Sequence, residues 1–336
     1  MEPRAVVTGV AGFIGSHLAE RLVRSRFSVI GIDCFTDYYP RWMKEINVEW
    51  LRAQRNFVLH EANIARDDLN EISRLLSGPA TVFHLAASPG VRCTSGRECD
   101  QNVVNNVQGT ERLLEWARGQ RITKFIYASS SSVYGDVQTL PMRETDSPKP
   151  LSVYGMTKLS GERVCQAYWE RFGTPIVILR YFTAYGPRQR PDMAFSRFIR
   201  ALLSDRPIDI FGDGRQARDF CFISDVVDAT VRAIHAPAGE ILNVASGTMT
   251  ALADAITVIE SLMHRRARPR VRDRSAFDAT NTLADISKAD SLLGYRPQYT
   301  LREGILEQVK WVKESAAMTP EWSTRAVPLP EQSLGC

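Results

Sequence analysis

The chain has 336 residues, of which 44% are hydrophobic and 24% are charged, and its formal net charge is +4. This composition is ordinary for a globular protein with a sizeable core, and so modest a charge does not indicate a nucleic-acid or membrane binder, though it suits an anionic substrate. No apolar run approaches the roughly 18 residues that span a bilayer, so we expect no membrane segment and no membrane partner.

Short apolar runs alternate with longer segments of helical periodicity over the first half of the chain. The apolar runs predict strands at Ala5–Gly9, Phe27–Asp33, Thr81–Ala86, Lys124–Ser129 and Pro175–Tyr181. The segments between them predict helices, including Gly12–Ser25, Asn102–Arg118 and Ser152–Phe172. Strands that alternate with helices need crossover connections, so the sequence predicts an α/β fold with a doubly wound, mostly parallel sheet.

After residue 182 the predicted elements become shorter. They comprise helices at Phe195–Leu203, Ser224–Ile234, Ala251–Met263 and Leu301–Glu314, and strands at Ile208–Gly212 and Glu240–Ala245. We therefore predict a cofactor domain of residues 1–182, which shares elements with a smaller C-terminal α/β substrate domain of residues 183–314. The basic run 264–274 predicts a solvated strand or loop, and the polar, proline-containing segment 315–336 predicts a frayed tail.

The cysteines bear on metal binding and on cellular location. The chain has six cysteines, Cys34, Cys93, Cys99, Cys165, Cys221 and Cys336. Their spacing matches neither C-x-x-C nor a Cys/His ligand pattern, so the sequence predicts no metal site. Scattered thiols in a chain with no signal peptide fit a reducing compartment. We expect free cysteines and a cytoplasmic protein.

A glycine-rich turn follows the first predicted strand and opens a helix. Gly9, Gly12 and Gly15 have the spacing G-x-x-G-x-x-G, which lets the backbone turn sharply and approach a pyrophosphate at the helix N-terminus. Asp33 ends the second strand, where a carboxylate can accept both ribose hydroxyls of adenosine and repel a 2′-phosphate. The pattern predicts NAD rather than NADP; the alternative is that Asp33 only caps the strand end.

Tyr154 and Lys158 are four residues apart and share one face of a predicted helix, so the ammonium can lie near the phenol. A neighbouring positive charge, together with the nicotinamide cation, lowers the pKa of the phenol. Tyr154 is therefore a candidate general base for a sugar hydroxyl, the alternative being a packing residue. The serines of 129–132 end a buried strand, where their hydroxyls need partners and would line a ligand crevice.

Further motifs place the chain beside a known family. They are Phe83-His84-Leu85-Ala86-Ala87, Asn106-Val107-Gln108-Gly109-Thr110, Leu179-Arg180-Tyr181-Phe182-Thr183-Ala184-Tyr185-Gly186-Pro187-Arg188, Phe211-Gly212-Asp213-Gly214, Arg218-Asp219-Phe220 and Ala284-Asp285. With the glycine turn and the Tyr/Lys pair, they resemble the extended short-chain dehydrogenase/reductases, specifically the nucleotide-sugar epimerases and dehydratases. The resemblance extends to about Lys313 and implies a Rossmann-type sheet, a nucleotide-sugar substrate and NAD.

The resemblance also implies roles for individual positions. Ser130 would assist Tyr154 at the C4 oxygen of the sugar, and Lys158 would hold the nicotinamide ribose and tune Tyr154. The other positions implied to border NAD are Gly9, Gly12, Phe13, Ile14, Gly15, Asp33, Asn63, Ile64, Leu85, Ala86, Ala87, Asn106, Ala128, Ser129 and Tyr181. Those implied to border the UDP-sugar, besides Tyr154, are Ser88, Arg92, Ser130, Ser131, Ser132, Thr183, Arg190, Arg218 and Asp278.

Two of the substrate positions concern the nucleotide. Arg218 resembles the arginine that grips the diphosphate, since a guanidinium binds phosphate oxygens bidentately. Asp278 would meet the nucleoside ribose. Here the chain departs from the family pattern: Phe277 stands where a glycine is frequent, and Ser275 stands where an arginine is frequent.

The serines also bear on the reaction. Related dehydratases carry Asp-Glu just before the valine that follows the serine-rich strand, and a related decarboxylase usually carries Glu at the second of those positions. This chain has Ser131 and Ser132 there, so neither position offers a titratable group. Epimerisation needs none, because the 4-keto sugar rotates and takes the same hydride on its other face. The sequence therefore predicts a 4-epimerase.

The substrate prediction rests on two short segments. Arg190-Pro191-Asp192-Met193 resembles UDP-glucuronate 4-epimerases, and so does Gly90-Val91-Arg92. A 4-keto uronate is a β-keto acid and loses CO2 when its carboxylate bond stands perpendicular to the ketone plane. Hydrogen bonds from Ser131, Ser132 and Thr183, with Arg190 shaping the pocket, would hold the carboxylate away from that alignment. The alternative for Arg190 is a solvated loop residue.

Three other functions stay open from the sequence. The nearest is epimerisation of UDP-glucose or UDP-N-acetylglucosamine; less close are UDP-glucuronate decarboxylation and a non-catalytic NAD-binding regulator, which would typically lack the Tyr/Lys pair. The resemblance also implies a homodimer formed through the helices 102–118 and 152–172. A monomer would bury one face of each helix as well.

Overall fold

The computed structural model describes residues 2–90, 97–273, 277 and 279–318. Within these ranges the strands are β1 Arg4–Thr8, β2 Ser28–Asp33, β3 Phe57–Glu61, β4 Ala80–His84, β5 Ile122–Ser130, β6 Ile176–Tyr181, β7 Thr183–Tyr185, β8 Ile208–Phe211, β9 Ala217–Phe222, β10 Ile241–Val244, β11 Met249–Ala251 and β12 Pro269–Arg272. The helices are α1 Phe13–Arg24, α2 Arg41–Arg52, α3 Asn70–Leu75, α4 Arg97–Val103, α5 Gly109–Arg118, α6 Val153–Phe172, α7 Ala194–Leu203, α8 Ile223–Arg232, α9 Leu252–Met263, α10 Ser287–Leu293 and α11 Leu301–Met318.

A seven-stranded sheet in the order β10-β6-β5-β4-β1-β2-β3 forms the centre of the fold. All of its neighbouring strands run parallel. The strand order reverses between β1 and β4, which is the topological switch point where open α/β sheets bind ligands. The predicted α/β fold with a doubly wound parallel sheet is confirmed.

Helices cover both faces of this sheet, and the alternation of strand side chains determines which residues face each layer. On β1, Ala5 and Val7 belong to the buried cluster that contains Leu18 and Leu22 of α1. Val6, between them, belongs to the opposite cluster, which contains Leu113 of α5 and residues of α6. Both faces of the inner strands β1, β4 and β6 are buried, so these strands are mostly apolar, whereas the edge strand β3 is half-exposed.

The second half of the chain contributes to the central sheet as well as to smaller ones. Strand β10 pairs with β6, with Leu242 opposite Leu179. The sequence predicted the strand, but its partner lies more than sixty residues earlier in the chain. Strands β11, β9 and β7 form a second sheet, and β12 pairs with β8, so the predicted strand or loop of the basic run contains a short strand.

Two expectations need correction. Helix α11 continues to Met318 rather than ending at Glu314, because alanines are good helix formers and Pro320 disfavours helix only at the residue before it. Cys99 is disulfide-bonded, so not every cysteine is free; pairing depends on a Cα separation below about 7 Å, which the sequence does not show. Cys34, Cys165 and Cys221 are free thiols.

Among the described residues, no helix is long and apolar enough to cross a membrane.

Candidate active site

The predicted site residues gather at one edge of the central sheet. Because the strands are parallel, their carboxyl ends meet at the same edge. Six strands deliver candidates to this edge. The candidate residues are Gly9 after β1, Asp33 on β2, Asn63 and Ile64 after β3, Leu85 to Ser88 after β4, Ser129 to Ser132 at the end of β5, and Tyr181 at the end of β6.

The glycine turn has the shape of an anion cradle. Gly9 has a φ of +71°, and its carbonyl oxygen accepts a hydrogen bond from the Gly12 N–H at 3.0 Å. A Cβ on Gly15 would lie 2.1 Å from that same oxygen, so the turn can pack against α1 only with glycine there. Helix α1 begins without a side-chain cap and without an acidic residue in its first turn. The N–H groups of Phe13 and Ile14 therefore stay available for a pyrophosphate.

Replacing Gly15 by alanine is expected to weaken NAD binding at least about tenfold, because the methyl group would force the turn away from α1. Gly119→Ala is the matched control, since a Cβ there would meet its nearest neighbour, the Trp116 oxygen, at an ordinary 3.5 Å. Titration of NAD against both purified variants measures the effect. Equal affinity in the two variants would contradict the role given to the turn.

Asp33, at the end of β2, is bonded to the backbone next to this turn. Its Oδ2 accepts the Ala11 N–H at 2.9 Å, and its Oδ1 accepts the Phe35 N–H at 2.8 Å. Burial raises the pKa of this carboxyl, which the positive charge of Lys44 partly offsets. A carboxylate oxygen has two acceptor sites, so Asp33 shapes the turn and retains capacity for two ribose hydroxyls.

Asn106 links the cofactor edge to the helix that carries Tyr154. It lies on a π-helical turn, 104–108, between α4 and α5, a distortion that is frequent at functional sites. Its Oδ1 accepts the Ser88 N–H at 2.7 Å, while its Nδ2 donates to the Ser88 oxygen and to Thr157 Oγ1, both at 3.0 Å. Both N–H donors of the amide are thus used within the protein, and Asn106 fixes the wall of the site.

The start of α6 lies against the serine-rich segment. Ser152 caps the helix by accepting the Gly155 N–H at 3.1 Å. A Cβ on Gly155 would stand 2.6 Å from the Ser132 oxygen, so this glycine permits the close approach. The approach places Tyr154 near Ser130, whose hydroxyl lowers the pKa of the phenol. Ser130 Oγ also lies 3.1 Å from Ser132 Oγ, within hydrogen-bonding distance.

Two groups favour the ionised form of Tyr154 against the cost of burial. Burial raises the pKa of its phenol, whereas the charge of Arg190 and the hydrogen bond with Ser130 lower it. Arg190 forms a bidentate pair with Asp192, with both N···O distances 3.0 Å. Its guanidinium also lies over the Tyr38 ring, 5.7 Å from the centroid, and Tyr38 donates to Asp192. Arg190 is thus a fixed residue of the site.

Lys158 is buried one turn after Tyr154, as the spacing predicts. Its Nζ lies 4.9 Å from the centroid of the Tyr127 ring. Burial lowers the pKa of Lys158 to about 8, with the charge of Glu162 opposing the shift. The groups that lower the pKa of Tyr154 are Arg190 and Ser130, so in this structure Arg190 has the electrostatic role expected of Lys158.

His84, from the Phe83–Ala87 motif, is not a further acid–base group. Its ring nitrogens contact Thr8 Oγ1 at 2.8 Å and Thr110 Oγ1 at 2.9 Å. Burial, together with the charge of Lys158, lowers its pKa to about 3. A neutral histidine with both nitrogens bonded ties β4 to β1 and α5.

Several candidate side chains are already engaged inside the protein. Ser129 Oγ donates to Glu162 at 2.5 Å, and the Tyr181 hydroxyl lies 2.7 Å from Thr230 Oγ1 on α8. Arg218 donates to the carbonyls of residues 217, 279 and 280, which places it beside the segment after position 278. Arg92 and Asp278 lie outside the described residues. Thr183 begins β7 directly after Phe182 and is half-buried.

Sequence reasoning did not identify the partners of the catalytic groups. Asp192 and Tyr38, which hold Arg190, are separated by 154 positions, and no local pattern joins them. The sequence could have identified Glu162 as a partner of the site, because it lies four residues after Lys158 and therefore on the same inward face of the helix. In the described part of the chain, no group of three or more His, Cys, Asp or Glu residues could hold a metal ion.

Comparisons with known proteins agree with this geometry. Residues 5–245 match the NAD dependent epimerase/dehydratase family. An uncharacterized UDP-glucose epimerase of Bacillus subtilis, YtcB, is 43% identical over 92% of this chain and 98% of its own length. The UDP-glucuronate 4-epimerase of Thermodesulfobacterium geofontis is 36% identical over 92% of this chain and 96% of its own length. The structure of the Bacillus cereus UDP-glucuronic acid 4-epimerase, solved with UDP-glucuronic acid and NAD, superposes with a TM-score of 0.89 at 40% identity. The match covers 93% of this chain and 99% of the Bacillus cereus chain.

Proposed function

The chain belongs to the NAD dependent epimerase/dehydratase family, and on that premise we propose that it interconverts UDP-glucuronate and UDP-galacturonate by inverting C4 of the sugar. The observation that carries the proposal is the meeting of Tyr154, Ser130 and Arg190 at the carboxyl edge of a nucleotide-binding sheet. A phenol with two groups that favour its ionised form, next to a guanidinium, suits proton transfer from an anionic sugar.

The residues present fit NAD. The cradle at Gly9 to Gly15, which a Cβ would fill, and the uncapped N-terminus of α1 suit a pyrophosphate, and Asp33 suits the adenosine ribose. Lys158 and Tyr181 lie further along the same edge, toward Tyr154. When bound, NAD supplies the oxidant that takes the C4 hydride and returns it.

The chain's own groups manage the proton and the sugar. Tyr154 takes the C4 hydroxyl proton, and Ser130 hydrogen-bonds the same phenol and holds it in line. Oxidation gives a 4-keto sugar, and return of the proton from Tyr154 completes re-reduction on the opposite face. Ser131 and Ser132 form a short 3-10 turn beside Tyr154 and offer hydroxyls only, so neither can expel a C6 hydroxyl as an acid–base group.

Arg190 favours a uronate over a neutral sugar. The half-buried guanidinium beside the base has N–H donors left beyond its pair with Asp192 and can bind a carboxylate, and Ser131, Ser132 and Thr183 offer further hydrogen bonds that hold it out of the decarboxylating alignment. The name of the Bacillus subtilis relative supports UDP-glucose as a second candidate. Incubation with UDP-glucuronate, UDP-glucose and UDP-N-acetylglucosamine separates the two. Turnover of the neutral sugars alone would overturn the uronate proposal.

We also propose a homodimer formed through α4–α5 and α6. Large apolar side chains are exposed on these helices, including Val103, Met156 and Phe172, each more than 40% accessible. Burying such side chains at a two-fold interface would remove them from water. One chain has a mass of 37.7 kDa, and light scattering of the purified protein is expected to give twice that mass. A mass equal to one chain would exclude the dimer at that concentration.

We also propose two domains, of residues 1–182 and 183–314, and a cytoplasmic location. The free thiols Cys34, Cys165 and Cys221 support a reducing compartment, whereas the disulfide at Cys99 does not. The contribution of β10 to the central sheet supports the sharing of elements between the two domains.

A further inference from the structure

A buried carboxylate lies directly beneath the catalytic residues. Glu162 is 1% exposed and lies on α6, one turn after Lys158. Its Oε1 accepts Ser129 Oγ at 2.5 Å and Arg180 Nε at 2.9 Å, and its Oε2 accepts Arg180 Nη2 at 2.8 Å. Ser129 and Arg180 are each 3% exposed. The carboxylate thus joins one helix to two neighbouring strands without contact with solvent.

The two donors stand next to site residues on their strands. Ser129 pairs with Arg180 across β5 and β6, and the next pair in register is Ser130 with Tyr181. The guanidinium of Arg180 is itself held over the Tyr134 ring, 4.7 Å from the centroid. Any movement of Glu162 relative to these strands would displace Tyr154 from Ser130, since Tyr154 and Glu162 belong to the same helix.

Glu162 also lies four residues after Lys158 on the same helix face, so its charge acts on the ammonium without an ion pair between them. The groups that face Lys158 are Glu162 and Cys165 on its own helix, Tyr127 on β5 and His84 on β4. Among these, Glu162 supplies the negative charge that opposes the effect of burial on the ammonium.

We propose that Glu162 is a positioning residue for catalysis, which fixes α6 against the ends of β5 and β6 and places a negative charge one helical turn from the Lys158 ammonium. This inference rests on the proposed catalytic roles of Tyr154 and Lys158. Buried ion pairs commonly contribute little net stability, so the placement of this one beside the site residues is better explained by geometry and charge than by stability.

The test uses the double variant Glu162→Gln with Arg180→Met. It replaces the ion pair by neutral groups of similar size, which is often well tolerated, and Met packs well against the Tyr134 ring. We expect kcat for UDP-glucuronate at pH 7.5 to fall at least about tenfold with KM changed less than about twofold. Glu170→Gln, the same change at an exposed position of α6, is the control.

The pH profile separates positioning from a purely structural role. Lys158 has its charge below its pKa, and loss of the Glu162 carboxylate lowers that pKa further below about 8. The alkaline limb of kcat is therefore expected to move to lower pH by no more than about one unit, because loss of the Arg180 charge offsets part of the effect. An unchanged kcat, or a reduced kcat with an unmoved alkaline limb, would overturn the inference.

If the double variant does not fold, a second variant tests the positioning role of Glu162. Ser129→Ala removes one hydrogen bond between β5 and α6 and retains the ion pair, and we expect kcat to fall about three- to tenfold. Wild-type kcat in this variant would then overturn the inference. Failure of the unmodified protein to turn over UDP-glucuronate would instead contradict the proposed function, so the two failures are distinguishable.

Discussion

The Tyr154→Phe variant is expected to interconvert UDP-glucuronate and UDP-galacturonate at least about a hundredfold more slowly than the unmodified protein, the usual scale for loss of a general base. The substitution keeps the ring on α6 and removes only the hydroxyl that bonds Ser130 and lies near Arg190. Initial rates measured by NMR give the effect. The NAD content of both proteins should be equal, because the glycine cradle is untouched.

Tyr168→Phe is the matched control for this prediction. It makes the same change on the same helix, at a hydroxyl that donates to Glu115 on the surface at 3.1 Å. We expect its rate to stay within about twofold of the unmodified protein. An undiminished rate in Tyr154→Phe would show that another group removes the proton.

Replacing Arg190 by glutamine is expected to lower kcat/KM for UDP-glucuronate by about ten- to a hundredfold, since a hydrogen bond to a charged group contributes about 1.5–3 kcal/mol. A second effect concerns pH. In the proposed mechanism Tyr154 accepts the proton as a phenolate, which exists above its pKa, and Arg190 lowers that pKa. Its removal therefore raises the pKa of Tyr154 and moves the acid limb of the rate profile to higher pH. Rates across a pH series measure both effects.

Arg190→Lys separates the two effects. Lysine retains a positive charge but not the planar fork that pairs bidentately with a carboxylate. The acid limb should therefore stay near its wild-type position while KM for UDP-glucuronate rises. Arg163→Gln, on the exposed side of α6, controls for loss of an arginine. If Arg190→Gln left both the pH profile and KM unchanged, Arg190 would be a structural residue only.

Local patterns predicted most of the elements that hold the site. The strands β1, β2, β4, β5 and β6 begin and end within two residues of their predicted bounds, because each is apolar and flanked by clear helical periodicity. Strand β3 was not predicted. It lies at the edge of the sheet, Val58 is 46% exposed, and a half-exposed edge strand lacks the continuous apolar run of a central one.

The electrostatics of the site could not be read from spacing. The Tyr154/Lys158 interval predicted a shared helix face correctly, but the pKa of Tyr154 depends on Arg190, which approaches from a loop 36 positions away. Likewise, the serines were expected to face a ligand, yet the Ser129 hydroxyl donates to Glu162 within the protein. Such contacts arise from how α6 packs on β5, which is a tertiary property.

The central claim is that Tyr154, with Arg190 beside it, inverts C4 of a UDP-uronic acid without loss of its carboxylate. NMR of the products formed from UDP-glucuronate by the purified protein with NAD tests it most directly. We predict an equilibrium mixture of UDP-glucuronate and UDP-galacturonate with every carboxylate retained. A UDP-pentose as the main product, or no conversion of UDP-glucuronate alongside turnover of UDP-glucose, would contradict it.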